Sequence, residues 1–278
     1  MQYPGLDDLI RRSLEEDIGY GDITTMSTVP AGQYGEGQFI AKTGGVIAGL
    51  EVAQAVFARL DPEAVFGRRV EEGDEVPAGT VIAQVKGHSR ALLTGERTAL
   101  NFLQRLSGIA TQTRQLTAMI KDYPAELLDT RKTTPGLRVL EKYAVAVGGG
   151  RNHRFGLYDG VMIKDNHIIA AGGIGPAVAM ARNRVPHTLK IEVEVEDLIQ
   201  LQEASQAGAD IIMLDNMQPE VMREAVTITG GRALLEASGG ITEANLTAVA
   251  QTGVDFISMG ALTHSVAGLD ISFGLGRA

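Results

Sequence analysis

Seven lysines and arginines fall between Arg131 and Lys164 (Arg131, Lys132, Arg138, Lys142, Arg151, Arg154 and Lys164), against two acids, Glu141 and Asp159. The chain as a whole carries a formal net charge of −9, so this is a local reversal. It reads either as charge gathered for a small anionic ligand or as a solvated basic face. Arginine offers a planar fork to a carboxylate or phosphate, and lysine a point charge. Further along, Glu194 and Asp215 supply hard oxygen atoms. A carboxylate pair plus substrate phosphates is the usual way to hold Mg2+. Ser238-Gly239-Gly240, ahead of a helix expected from about Thr242, offers backbone N–H groups to a phosphate. Gly260, in SMGALT, offers a second such turn. Together these residue types suit a polycarboxylate and a phosphorylated sugar bearing a diphosphate.

The elements that must position them are short strands. The apolar runs AELLDTR, DGVMIKDN, LKIEVEVED, ADIIMLDN, RALLEASGG and VDFISMG follow one another through the second half of the chain. Between the later ones lie EDLIQLQEASQAG, QPEVMREAVTITG and TEANLTAVAQTG, each amphipathic and each closing on glycine. Strand, helix and glycine turn, repeated roughly every 20–30 residues, indicate βα units and a parallel sheet. An open doubly wound sheet is the other arrangement, but no strand–GxGxxG–helix fingerprint is present, and the short, even repeats favour a (β/α) barrel. In such a barrel the active site lies at the C-terminal strand ends. Here those ends are Arg131-Lys132, Lys164-Asp165-Asn166, Glu194, Asp215-Asn216, Ser238-Gly239-Gly240 and Gly260. They are expected to converge on one mouth, joined by His153 and Arg154 from the loop before the second strand.

Upstream, residues 1–108 read as a mixed α/β domain: a helix in Leu6–Glu16, two short strands in GQFIAKTGGVIAG, and a helix over Leu50–Leu60. The following VEEGDEVPAGTVIAQVKG gives a turn and a strand. Its Gly-Asp-x-Val turn is similar to that of lipoyl and biotinyl carriers. Those carriers need a lysine at an exposed hairpin tip, and Lys86 stands instead at a strand's end. Residues 89–121 form the longest helical stretch and lead from the first domain into the second.

Each candidate has a plainer reading. Lys164-Asp165 could be a surface ion pair. Glu192 shares a strand face with Glu194 and could be solvated. Gly148-Gly149-Gly150 could be a helix stop and linker. His264, in LTHS, is either loop polarity or a phosphate contact. Ser238 lacks the GxSxG setting of a nucleophile and reads better as a phosphate donor. The five histidines show no zinc-ligand spacing, and the absence of cysteine excludes disulfides and thiolate chemistry. Net negative charge argues against nucleic acid. No apolar run approaches a membrane span, and the acidic start has no signal-peptide pattern, so a cytoplasmic protein is expected.

Long stretches of the chain resemble the quinolinate phosphoribosyltransferase family. They are LDTRKTTPGLRVLEKYAV (128–145), GGGRNHRFGLYDGVMIKDNHI (148–168), IEVEVE (191–196), IIMLDN (211–216), LEASGGI (235–241) and MGALTHS (259–265). EEDIGYGDITT (15–25) and GERTALNFLQRLSGIAT (95–111) extend the resemblance almost end to end. It implies an N-terminal α/β sandwich (1–108), an incomplete, seven-stranded α/β barrel (109–266), and a final segment (267–278) that packs back on the sandwich. It implies a homodimer, in some members a hexamer, with Arg97 of GERT reaching the neighbouring subunit's site. Arg131, Lys132, His153, Arg154 and Lys164 would surround the quinolinate carboxylates. Glu194 and Asp215 would face the ribose and the Mg2+-diphosphate, while Ser238, Gly239, Gly240 and Gly260 would hold the 5-phosphate. The implied reaction joins quinolinate to phosphoribosyl pyrophosphate and releases CO2 in NAD biosynthesis, with Lys132, Glu194 and Asp215 as catalytic groups. Two rival readings are a paralogue on the same scaffold associated with molybdenum transport and a non-catalytic phosphate-binding barrel. A non-catalytic barrel has no need of Glu194 and Asp215 beside so many cations.

Overall fold

The structure, a computed structural model, describes residues 5–276. Residues 1–4 and 277–278, the outer ends of the expected first and last segments, lie outside the described residues. In chain order the strands are β1 (Tyr34–Ala41), β2 (Gly45–Val46), β3 (Val65–Arg68), β4 (Glu75–Val76), β5 (Val81–His88), β6 (Glu126–Leu128), β7 (Val161–Ile163), β8 (Ile191–Val195), β9 (Ile211–Asp215), β10 (Leu234–Ser238), β11 (Phe256–Ser258) and β12 (Ile271–Gly276). The helices are α1 (Leu6–Ile18), α2 (Ile23–Thr28), α3 (Leu50–Leu60), α4 (Ser89–Met119), α5 (Arg138–Val147), α6 (Asp165–Ala171), α7 (Ile174–Arg184), α8 (Leu198–Gln206), α9 (Pro219–Thr229), α10 (Glu243–Ala250) and α11 (Ala261–His264).

Two compact units result. The first runs up to Arg114 and includes Thr134–Gly149 and the chain from Val266 onward. Its antiparallel sheet has the order β12-β1-β5-β3, so the C-terminal strand pairs with β1, Phe273 opposite Phe39. Phe39, Phe57, Phe66 and Phe273 form one aromatic cluster with centroids 4.9–6.3 Å apart. Phe39 and Phe57 are buried and Phe66 and Phe273 half-buried, and rings at these spacings add edge and stacking contacts to the apolar area they cover. The acidic side chain of Glu141 in α5 is fully buried, and is satisfied by Arg105 Nη2 at 2.8 Å and the Thr134 N–H at 3.0 Å. The glycine triplet ends α5, and a side chain at Gly148 would strike the Ala110 carbonyl 2.5 Å away. Lys86 lies within β5, paired with Glu36 at 3.0 Å.

The second unit comprises Gln115–Thr133 and Gly150–Ser265. It is built on a parallel sheet of order β6-β11-β10-β9-β8-β7. Strand and helix alternate along it, as the glycine-punctuated repeats require. The expected seven strands are six here, and the seventh place, beside β6, is held by a single parallel bridge between Leu128 and Arg151. The next residues cannot extend that ladder because a side chain takes over their pairing. Buried Asp129 accepts from the His153 N–H at 2.9 Å and from Asn152 Nδ2 at 2.7 Å. Among the described residues no helix is long and apolar enough to cross a membrane.

Candidate active site

Each central strand of the parallel sheet separates its residues by the period of two. In β8, Ile191, Val193 and Val195 are completely buried on one face, and Glu192 and Glu194 share the other. In β9, Ile212 and Leu214 are buried opposite Met213 and Asp215, and in β10, Leu235 and Ala237 opposite Glu236 and Ser238. The result is a polar interior between apolar outer faces.

At the C-terminal strand ends this interior opens into a cavity of about 600 Å3. Arg131, Lys132, His153, Arg154, Lys164, Glu194, Asp215, Ser238, Gly239 and Gly240 all line it. Gly260 stands beside it: a side chain there would meet Lys132 Cδ at 3.0 Å and the His264 ring at 2.9 Å. His264 itself is exposed, with Nδ1 2.6 Å from Ser265 Oγ, and is not among the lining residues. Arg97 is exposed on α4 and does not line the cavity either.

The charges at this mouth are arranged unevenly. Lys164 pairs across the strands with Glu194, so the alternative of a Lys164-Asp165 surface pair is not the one the fold adopts. The Lys132 backbone is fixed at both ends, its N–H on Thr130 Oγ1 at 3.0 Å and its carbonyl accepting from Thr263 Oγ1 at 2.8 Å. Arg154 donates to the Gly160 carbonyl at 3.0 Å, and burial, followed by the charge of Arg131, holds its guanidinium below the ordinary arginine value. Two cations that disfavour one another in a half-buried cavity favour an anion between them.

Across β9 and β10 the backbone prepares a second kind of contact. Gly239 and Gly240 have φ of 83° and 62°, in the left-handed region that glycine enters without cost. Asn216 also sits there, at φ 54°, the only non-glycine with positive φ among the described residues. Its N–H donates to the Ser238 carbonyl at 2.9 Å and its Nδ2 to Asp215 Oδ2 at 2.8 Å, which orients that carboxylate. Its side chain fills the space a Cβ at Gly239 would need, coming within 2.4 Å of it.

The floor of the cavity holds a cluster that the sequence reading passed over. Glu192, offered there as a solvated group, is buried (4% exposed), as is Glu236 (1%). His153 Nε2 lies 3.2 Å from Glu192 Oε2 and 3.5 Å from Glu236 Oε2. Its Nδ1 accepts the Arg154 N–H at 2.7 Å, which places the imidazole proton on Nε2, facing the carboxylates. Burial, then the charge of Glu192, pushes the Glu236 carboxyl up to about 8. The available signal was the strand period: Glu192 and Glu236 stand two residues before Glu194 and Ser238 and must face the same interior.

Comparison with known proteins agrees with this architecture. The chain matches the quinolinate phosphoribosyl transferase N-terminal domain over residues 22–107 and the C-terminal domain over residues 109–274. It is 49% identical over 272 residues to a probable nicotinate-nucleotide pyrophosphorylase [carboxylating] of Bacillus subtilis, covering 98% of this chain and 94% of the relative. It is 40% identical over 286 residues to quinolinate phosphoribosyltransferase [decarboxylating] 1b of Nicotiana tabacum, covering 96% and 81%. The crystal structure of NadC from Streptococcus pyogenes superimposes with a TM-score of 0.95 at 43% identity, covering 99% of both chains. With both halves matched in order and near-complete coverage, the chain belongs to the quinolinate phosphoribosyltransferase family.

Proposed function

We propose that this protein transfers the phosphoribosyl group of phosphoribosyl pyrophosphate to quinolinate and decarboxylates the product. The outcome is nicotinate mononucleotide, CO2 and diphosphate, a step of NAD biosynthesis. The observation that carries this reading is the single cavity in which Arg131, Lys132, Arg154 and Lys164 meet Glu194 and Asp215. A pyridine with adjacent carboxylates satisfies the cations, and a monocarboxylate leaves some of them unpaired.

The donor set also fits Mg2+. Glu194 and Asp215 come from neighbouring strands, both line the cavity, and both offer hard oxygen. These two residues would hold the ion, which supplies charge neutralisation to a leaving diphosphate. The protein's own groups do the rest. Arg131, Lys132, Arg154 and Lys164 bind the dicarboxylate and aim the ring nitrogen at C1 of the sugar. Glu194 and Asp215 face the positive charge that develops at C1 as diphosphate departs. Ser238 and the left-handed Gly239-Gly240 turn offer a hydroxyl and N–H groups to the 5-phosphate, and Gly260 leaves room for Lys132 to reach in. Nitrogen attack leaves a pyridinium, whose positive nitrogen stabilises the electron pair that stays on C2 when the C2 carboxylate leaves as CO2. Excluding water favours the loss and protects the activated ribose.

We also place the protein in the cytoplasm as a homodimer, or a hexamer built of dimers, with Arg97 of one subunit completing its neighbour's site. The exposed apolar side chains Tyr20, Ile23 and Met26, within and just beyond the EEDIGYGDITT stretch, support an interface there.

The test mixes purified protein with quinolinate, phosphoribosyl pyrophosphate and Mg2+, with nicotinate as a parallel substrate. Mg2+-dependent formation of nicotinate mononucleotide and CO2 from quinolinate alone is expected. Absence of product from folded protein sinks the assignment and moves the transport-associated reading forward.

A further inference from the structure

A second cavity, of about 470 Å3, lies at the opposite, N-terminal end of the same strands, where Val161, Lys190, Ile211 and Phe256 line it. Three residues line both cavities: His153, Arg154 and Glu236. They form the wall between them. Two of the three are committed elsewhere. His153 has its Nδ1 on the Arg154 N–H and its Nε2 on the carboxylates, and Arg154 donates to the Gly160 carbonyl. Glu236 is different, because its Oε1 is fully buried and has no hydrogen-bond partner. Ser258 Oγ, buried on the neighbouring β11 and lining the mouth cavity, faces the same carboxyl and favours its charged form.

The reaction needs a proton that neither substrate supplies. When CO2 leaves, the electron pair of the broken C–C bond stays on C2 of the pyridinium ring, and a C2–H bond must form. With both substrates in place, they occupy the mouth cavity and leave little room there for water. We propose that Glu236 is the acid that protonates C2, and that it is recharged by water from the second cavity. In the step, the Glu236 O–H bond breaks and its pair remains on the carboxylate. The proton joins the pair left on C2. The carboxylate then takes a proton from water on the far side of the wall, so the atoms balance against one solvent proton per turnover. The proposal rests on the activity assigned above.

The surroundings suit an acid that is loaded at neutral pH. Glu192 on β8, His153 and Arg154 from the loop after the Arg151 bridge, Ser258 on β11 and the uncharged Met213 on β9 face it. Burial and the Glu192 charge outweigh the opposing influence of His153 and Ser258 and keep the carboxyl protonated up to about pH 8.

The experiment compares wild-type protein with E236Q, whose carboxamide fills the same space but cannot pass a proton. Wild-type turnover of quinolinate, run in parallel, tests the assigned activity separately. For E236Q, kcat is expected to fall about 100-fold with both KM values little changed. Wild-type kcat should decline above about pH 8, and in E236Q that decline should vanish. Turnover of E236Q within about threefold of wild type, with the alkaline decline intact, overturns the proposal. If E236Q does not fold, E192Q serves: removing that charge lets Glu236 ionise more readily, so the alkaline decline should move to lower pH. A decline that stays in place overturns the proposal equally.

Discussion

The rim and the floor of the parallel unit both carry charged side chains, as Glu194 and Glu192 do two positions apart on β8, and they behave differently. At the rim, Lys164 and Glu194 face each other with side chains 43% and 17% exposed. At the floor, Glu192 and Glu236 share His153 with side chains 5% and 2% exposed. A charge at the rim keeps part of its hydration and can exchange its partner for a ligand. A charge at the floor has no water to fall back on, so one carboxyl keeps its proton instead. The difference of two residues along a strand, about 7 Å, thus separates groups that bind from groups that hold a proton.

The contrast can be broken most severely at the rim. Lys132→Ala should lower kcat about 100- to 1,000-fold while the far-ultraviolet circular dichroism and the urea midpoint stay those of the wild type. Unchanged turnover removes Lys132 from the mechanism. At the floor the expected effect is on stability. His153→Ala takes the Nε2–H donor from two buried carboxyls and the Nδ1 acceptor from the Arg154 N–H, at a cost of about 2 kcal/mol in urea unfolding. A change under about 0.5 kcal/mol would show that His153 does not hold the two carboxyls together.

A subtler probe uses pH. The Glu236 carboxyl is raised in the folded protein from 4.5 to about 8, so between these values the folded state binds a proton that the unfolded state has lost. Stability contributed by this group is therefore full below pH 4.5 and falls as pH rises toward 8. E236Q should flatten that slope, and a parallel slope in both proteins contradicts the assignment. The smallest effect is expected from a pair in the other unit. Lys86→Ala removes an exposed partner of Glu36 and should change stability by no more than about 0.5 kcal/mol, less in high salt.

The same contrast explains what the sequence made legible. Strand ends announce themselves, because a run such as IIML stops abruptly at Asp215-Asn216, and the repeated pattern of strand, helix and glycine identifies the parallel unit. The residues that converge on the mouth could therefore be named from the chain alone. Glu192 was harder. Its alternation with Ile191, Val193 and Val195 fits a solvated face as well as an interior one, and only closure of the sheet around it decides. His153 belongs to a loop with no period, so its pairing with two strands could not be read. The seventh strand that the resemblance implied is reduced to the bridge at Arg151, because Asp129, a strand-end residue like the others, captures the following backbone. The left-handed conformation of Asn216 left no mark beyond an asparagine after a strand, a common enough event.

The central claim is that the cavity at the strand ends is where quinolinate is held. A crystal structure of the protein with quinolinate bound tests it most directly. Density for the pyridine ring is expected among Arg131, Lys132, Arg154 and Lys164, with its nitrogen turned toward Glu194 and Asp215. Quinolinate bound elsewhere, with that cavity empty at saturating ligand, would contradict it.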